Sequence, residues 1–241
     1  MAASNRPADP YYSPMRPEEL PASWPRRFAC AIALGAGLLA SSTGRWDDPR
    51  AASRSWHFYV LLDGKSIGRH DFTVEDSTNS IDVIGHARFD VRFAGFVVYQ
   101  YEHWDHEGWS DGCLSRIDAR TNDAGRTSRV QGELSGATFA LRSDGASSAL
   151  PRCVHAYAYW NLQLLRQEHL LNPQTGTFDP VHLEELGAEA VRLSGRAERG
   201  MHYALERPSF RIELWYSPTG DWLALQTRTR QGRLMRYEKL S

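Results

Sequence analysis

From Trp56 onward the chain repeats one pattern: runs of alternating apolar and polar residues, cut about every ten positions by turn-forming residues. Ile81-Asp82-Val83-Ile84-Gly85-His86-Ala87-Arg88-Phe89 and the stretch from Phe89 to Ser110 show it most clearly. Period two sends successive side chains to opposite faces of a pleated strand, one buried and one wet. A long series of such strands must close or stack to hide its apolar faces and its edges.

Trp56 to Asp63 is apolar on both faces, as in a strand covered on each side, and Asp63-Gly64 is a hairpin signal leading into Ile67 to Asp76. Further strands are expected at Ile81 to Arg92, Phe96 to Glu107, Trp109 to Arg120, Thr127 to Leu134 and Ala137 to Arg142. A helix is expected from His155 to Leu171, which has no Gly or Pro and puts Tyr157, Trp160, Leu164 and Leu165 on one side; Asn172-Pro173 ends it. A second strand series follows at Ala188 to Leu193, Met201 to Arg207, Phe210 to Tyr216, Trp222 to Arg230 and Leu234 to Leu240, with Glu184 to Gly187 ambiguous. The expected fold is mainly β: a single antiparallel β-barrel or strongly curved half-barrel sheet of about 11–13 strands with one packed α-helix. A split into two domains near Arg152 is disfavoured, because five strands without a helix of their own would leave an edge exposed.

The first 55 residues differ in kind. Six of the twelve prolines precede Arg26, and Arg26-Arg27 introduces thirteen apolar or Gly residues, Phe28 to Ala40, followed by the small pair Ser41-Ser42. A basic pair, an apolar run and small residues make the pattern of an export signal. Thirteen helical residues reach only about 20 Å, short of the ~30 Å hydrocarbon layer, which argues against a permanent span. The expected organisation is a disordered leader with export signal and linker over residues 1–55, starting at Met1 or Met15, and a β-barrel-like domain over 56–241. The expected location is periplasmic or secreted. The alternative, a buried helix of a cytoplasmic protein, is disfavoured by the polar segment Thr43 to Ser55 beside it. Cys30 would leave with the signal; Cys113 and Cys153 either form a disulfide or pack as small apolar residues.

With 41% hydrophobic residues, eight Trp, ten Tyr and nine Phe in 241 residues, the chain can build a substantial core. A formal net charge of -1 and scattered arginines exclude a general nucleic-acid binder. The strand Phe96 to Ser110 carries the candidate chemistry: one face runs Val97, Tyr99, Tyr101, His103, Asp105, Glu107, from greasy to ionisable, as a barrel wall does between floor and mouth. His103, Asp105 and Glu107, about 7 Å apart in steps of two, could share a ligand or trade a proton. They could also join a metal site with a fourth ligand from His57, His70 or His155. The plain alternative is a solvated strand end, and the sequence by itself favours that, so no metal is assigned. Candidate ligand-binding residues are Tyr99, Tyr101, Trp104, Trp109, Trp160 and Asn161; core filling is the competing role for the tryptophans. There is no G-x-S-x-G, Walker loop, H-E-x-x-H or C-x-x-C, and no cofactor is implied.

The chain resembles an uncharacterised bacterial domain-of-unknown-function family of exported β-rich proteins, distantly like lipid-binding half-barrels. The resemblance rests on Leu62-Asp63-Gly64-Lys65-x-Ile67-Gly68, Tyr99-x-Tyr101, Glu107-x-Trp109-x-Asp111-Gly112-x-Leu114, Thr121-x-x-x-Gly125, Trp160-Asn161, Thr175-Gly176, Leu214-Trp215-Tyr216 and Gly232-Arg233-Leu234-x-x-Tyr237. It covers Trp56 to Leu240 and implies an exported barrel-like fold without supplying an activity or catalytic residues.

Three functions remain to be weighed. The leading expectation is an exported periplasmic protein that binds or carries a hydrophobic small molecule or lipid. The alternative is an isomerase, cyclase or hydrolase acting on a lipid-like or isoprenoid substrate through His103, Asp105 or Glu107. The third is an envelope assembly protein with a membrane-surface or protein partner. An enclosed cavity larger than about 300 Å³ would favour the first two over the third. His103 and Glu107 pointing into it would strengthen the enzyme.

Overall fold

Five hairpins turn on a pair of adjacent residues with positive φ: Asp63-Gly64, Ala94-Gly95, Asp111-Gly112, Ala124-Gly125 and Asp144-Gly145. Two left-handed residues in succession are the signature of the type I′ turn, whose twist matches that of the flanking strands. These tight turns fold the chain into a meander of consecutive antiparallel strands. The computed structural model describes residues 52–240, apart from 194, 208 and 209. The expected export signal over 28–40, Cys30 and both candidate start sites lie outside the described residues.

The first eight strands are β1 (Ala52–Leu62), β2 (Lys65–Asp76), β3 (Ile81–Phe93), β4 (Phe96–Ser110), β5 (Cys113–Asp123), β6 (Arg126–Ser135), β7 (Thr138–Ser143) and β8 (Ala146–Pro151). After an inner segment that contains β9 (His169–Leu171) and β10 (Phe178–Pro180), five more follow: β11 (His182–Leu193), β12 (Arg196–Arg207), β13 (Phe210–Tyr216), β14 (Trp222–Arg228) and β15 (Leu234–Lys239). Thirteen of them form one antiparallel sheet in the order β11-β12-β13-β14-β15-β1-β2-β3-β4-β5-β6-β7-β8, while β9 and β10 pair separately. β1 and β15 join the two series, so the strands on either side of the inner segment share one sheet rather than forming two domains. The sheet is strongly curved and not closed; β8 and β11 are its edges. β8 is short, and β11 carries Glu184, Glu185 and Glu189, which blunt edge-to-edge pairing.

The ambiguous piece Glu184 to Gly187 belongs to β11, where the register shifts between Glu185 and Gly187 and Gly187 takes a φ of 96°. A glycine absorbs such an irregularity without a Cβ penalty.

The expected helix from His155 to Leu171 is corrected. Among the described residues it is reduced to a five-residue 3₁₀ turn, Leu162–Arg166, capped by the Asn161 side chain, which accepts a hydrogen bond from the Gln163 N–H at 3.0 Å. The residues before it are extended: Val154, Ala156, Ala158 and Trp160 are buried at period two, and Ala156 bridges Leu171. This segment packs into the core with neighbours on both sides, so its apolar residues needed no helical stripe. Periodicity cannot distinguish a buried extended run from a helix.

The core lies between the sheet and this inner segment. Trp222 packs on Phe58 with ring centroids 4.2 Å apart, on Tyr159 at 5.3 Å and on Phe72 at 5.5 Å. Backbone carbonyls of the inner segment accept bonds from the sheet: Val154 O from Leu114 N at 2.8 Å, Tyr159 O from the Tyr216 hydroxyl at 2.8 Å, Gln174 O from the Ser128 hydroxyl at 2.7 Å and Thr175 O from the Ser143 hydroxyl at 2.9 Å. Cys113 and Cys153 form a disulfide, which decides between the two alternatives for these cysteines and fastens the start of the inner segment to β5.

Candidate functional site

The registers of β2, β3, β4 and β5 stack inward-facing residues into rows. One row reads His70, Ala87, His103, Thr121; the next Phe72, Gly85, Asp105, Ala119; the third Val74, Val83, Glu107, Ile117. The small residues of β3 make room for the polar ones of β4. A Cβ placed on Gly85 would collide with Asp105 Oδ1, so the Asp105 carboxyl occupies the space a side chain would take.

His103, Asp105 and Glu107 are 4%, 5% and 3% exposed, which corrects the solvated-strand-end reading. The alternation sends them to the concave side, under the inner segment, instead of to a wet rim. His103 Nδ1 lies 2.9 Å from the Thr121 hydroxyl, and the Trp109 indole N–H donates to Glu107 Oε2 at 2.9 Å. His103 Nε2 is 3.5 Å from Asp105 Oδ1, long for a hydrogen bond. Among the described residues no Lys or Arg pairs with either carboxyl.

Burial without a cationic partner sets the protonation of all three. Desolvation lowers His103 to about 4, so its imidazole is neutral near pH 7. Desolvation raises Asp105 and Glu107 well above the ordinary carboxylate range, and Asp105 raises Glu107 further by like-charge repulsion. A neutral imidazole therefore sits beside acids that tend to keep their protons, a set able to donate and accept a proton at one wall.

This row lines a partly open cavity of about 920 Å³. Phe72, Tyr157, Tyr159, Phe210 and Tyr237 supply aromatic surface. His70 also lines it, stacked on Phe72 at 4.0 Å, with both ring nitrogens buried and unpartnered. Arg207 closes one side: it pairs with Asp179 at 2.7 Å, and the Tyr157 hydroxyl donates to the same carboxylate at 3.2 Å. In an antiparallel meander alternate turns share one end of the sheet. The turns at Asp63-Gly64, Ala94-Gly95, Ala124-Gly125 and Asp144-Gly145 therefore lie together, with the end of β12, the start of β13 and the β14–β15 connection. Arg207, Phe210, Thr229, Arg230 and Leu234 line the cavity from that end, which we call the mouth.

The six aromatic and amide candidates lie elsewhere. Trp104 is on the convex face and 44% exposed, because period two points it away from His103 and Asp105, and its assignment to the binding wall is corrected. Tyr99 donates to Asp123 at 2.7 Å near the β3–β4 hairpin tip, and Tyr101 stacks on Phe89 at 5.1 Å. Trp109 and Trp160 are buried edge-to-face at 5.6 Å in the core, and Asn161 is the cap already described. Among these, Trp109 touches the candidate row through Glu107. Of the proposed fourth metal ligands, His57 pairs with Asp71 at 2.7 Å on the exposed side, and His155 lies by the disulfide. The one described group of His, Cys, Asp and Glu close enough to share an ion is Cys113, Cys153 and His155, and its two sulfurs are bonded to each other.

Sequence reasoning missed Phe72, Tyr157, Tyr159, Phe210 and Tyr237 as cavity residues. The signal that could have found the hollow is the pair Gly85 and Ala87, two small residues at alternate positions of a strand otherwise facing a core.

Comparison with solved structures gives the fold. The crystal structure of a beta-barrel-like protein of domain of unknown function DUF1849 from Brucella abortus superposes with a TM-score of 0.59 at 10% identity, covering 80% of this chain and 97% of that one. Comparison with curated proteins finds no match. Residues 58–239, nearly the whole sheet and its inner segment, match the family described as Domain of unknown function (DUF6134), and the chain belongs to that family.

Proposed function

We propose that this is an exported protein that holds a lipid or other amphipathic molecule in the concave cavity of its sheet. The observation that carries the reading is the cavity itself: about 920 Å³ with an aromatic wall, large enough for a lipid-sized molecule and left open by a sheet that could have packed solid. An unfilled interior also weighs against a purely structural envelope component. The Cys113–Cys153 disulfide supports export, since such bonds persist in oxidising compartments. The test is native mass spectrometry of the gently purified protein, with uptake of a fluorescent fatty-acid probe. Co-purifying lipid and saturable uptake are expected; neither lipid nor uptake would end this reading.

A second reading is favoured by one specific observation: His103, Asp105 and Glu107 line the cavity instead of facing solvent. In it the protein is an isomerase, cyclase or hydrolase for a lipid-like or isoprenoid substrate. A neutral buried acid donates a proton to the substrate and the neutral imidazole accepts one. The expected result is that His103→Ala and Glu107→Gln each fail to rescue a deletion strain while retaining probe uptake. Full rescue by both would leave binding without chemistry.

A further inference from the structure

The β3–β4 hairpin parts from its neighbours before its turn. On one side β3 pairs with β2 only as far as Phe89; on the other β4 pairs with β5 only from Tyr101. Beyond those points the β3–β4 ladder continues through Val91↔Tyr99, Arg92↔Val97 and Phe93↔Phe96 up to the Ala94-Gly95 turn. It is held on the β5 side by the Ala124 N–H, which donates to Gln100 O at 2.9 Å, and by the Tyr99 hydroxyl on Asp123. The four residues Asp90 to Phe93 extend about 13 Å at ~3.3 Å per residue. β2 runs on beside them from Ile67 to Lys65 without ladder pairs to β3, so the end of the hairpin is a separate two-stranded finger at the mouth of the cavity.

The finger is apolar where it is most exposed. Phe93 and Phe96 at its apex are each 75% exposed, Val98 is 60% exposed, and Val97 and Tyr99 are also open. These five are half of the ten large hydrophobic side chains that stand exposed among the described residues. The register shift between Val91 and Arg92 places Val98 as an extra residue, so apolar side chains leave the finger on both faces as well as at its tip.

From this we infer that the β3–β4 hairpin tip is a membrane-docking element that inserts Phe93, Phe96 and Val98 into the interfacial layer of a lipid bilayer. A protein groove covers one face or one edge of a strand pair, whereas this tip carries apolar side chains on both faces and at its apex, with Arg92 as its one charged residue. The depth agrees, since interfacial elements bury their apolar parts by about 5–10 Å, less than the length of the finger. Arg92 on the finger and Arg230 at the same end have no carboxylate within ion-pair distance among the described residues, which favours an anionic lipid surface. Asp90, equally without a cation, lies at the base of the finger and accepts from Gln100. Docking by this tip would set the cavity mouth against the membrane, the place a lipid-holding protein must load or unload. That consequence rests on the cavity reading; the docking itself rests on the hairpin.

The experiment is hydrogen exchange by mass spectrometry on the full chain, with and without vesicles of phosphatidylcholine and phosphatidylglycerol. Vesicles are expected to slow exchange in the peptide covering residues 90–100 and to leave the Asp111-Gly112 turn, at the opposite end, unchanged. The Phe93→Asp/Phe96→Asp variant, shown to be folded by its near-ultraviolet dichroism, is expected to lose that protection. Unchanged exchange at 90–100 on adding vesicles overturns the inference. So does protection already present without vesicles, whether a second copy, seen by light scattering, or residues 1–51 of the same chain provide it. Uptake of the fatty-acid probe without hairpin protection sinks the docking alone; hairpin protection without uptake sinks the cavity reading alone.

Discussion

Replacing the Cys113–Cys153 disulfide by Cys113→Ser/Cys153→Ser should cost a large share of the stability of the domain. The two cysteines are 40 residues apart in sequence. Closing a loop of that length removes on the order of 13 cal/mol/K of entropy from the unfolded chain, about 4 kcal/mol at 25 °C. Whole domains are stable by only about 5–15 kcal/mol, so the loss is not a detail. For a domain of this size it should lower Tm by roughly 8–16 °C. The bond also fixes where the inner segment enters the core, and that segment carries Tyr157 and Tyr159 to the cavity wall. The variant should therefore bind the fatty-acid probe more weakly even where it remains folded. The assay is urea unfolding followed by tryptophan fluorescence, comparing the oxidised protein, the protein with reductant and the double-serine variant. The two disrupted forms should agree with each other and fall below the oxidised form by about 4 kcal/mol at similar slope. A difference under about 1 kcal/mol would refute the staple and remove the main structural support for an oxidising compartment.

Two further outcomes are expected. Gly85→Ala drives a methyl group into the Asp105 carboxyl and should destabilise by about 1–3 kcal/mol; Asp105→Ala in the same chain should relieve part of that loss, and strict additivity in unfolding experiments would contradict the contact. The buried row makes stability depend on pH in two opposite ways. Asp105 and Glu107 hold their protons more tightly when folded, so their stabilisation is full below the ordinary carboxylate range and is lost as pH rises through their elevated values. His103, lowered from 6.5 to about 4, binds protons better when unfolded, so stability falls as pH drops through that interval, by about 3 kcal/mol. The two windows overlap, and between about pH 5 and 6.5 two carboxyls outweigh one imidazole. Denaturation curves from pH 4 to 9 should therefore show stability falling as pH rises, most steeply just above pH 6.5 where the histidine no longer compensates. Glu107→Gln should flatten the fall and His103→Gln should steepen it below pH 6.5; unchanged slopes would mean the row is hydrated.

Much of the strand series was legible because each hairpin carries its own local instructions. Asp63-Gly64, Asp111-Gly112 and Asp144-Gly145 announce left-handed turns, and the alternation on either side fixes which face is apolar. Ala94 and Ala124 adopt the same left-handed geometry without that chemical preference, and there the turn was readable from the following glycine. The inner segment was misread for the opposite reason. Val154 to Trp160 is rich in apolar residues because the sheet surrounds it, and enclosure by distant strands erases the one-sided stripe that separates a helix from an extended run.

The candidate row shows the same division. That Val97, Tyr99, Tyr101, His103, Asp105 and Glu107 share a face follows from the two-residue repeat of a strand, a property of the chain alone. Whether that face is wet or dry is not local. It was decided by the curl of thirteen strands and by an inner segment about fifty residues further on, which together remove water from the two carboxyls and the imidazole and so set their protonation. Turn chemistry and alternation act over a few neighbouring residues, and a sequence read in order records them. Burial and desolvation come from residues far apart in the chain that folding brings together, and only the tertiary structure contains them.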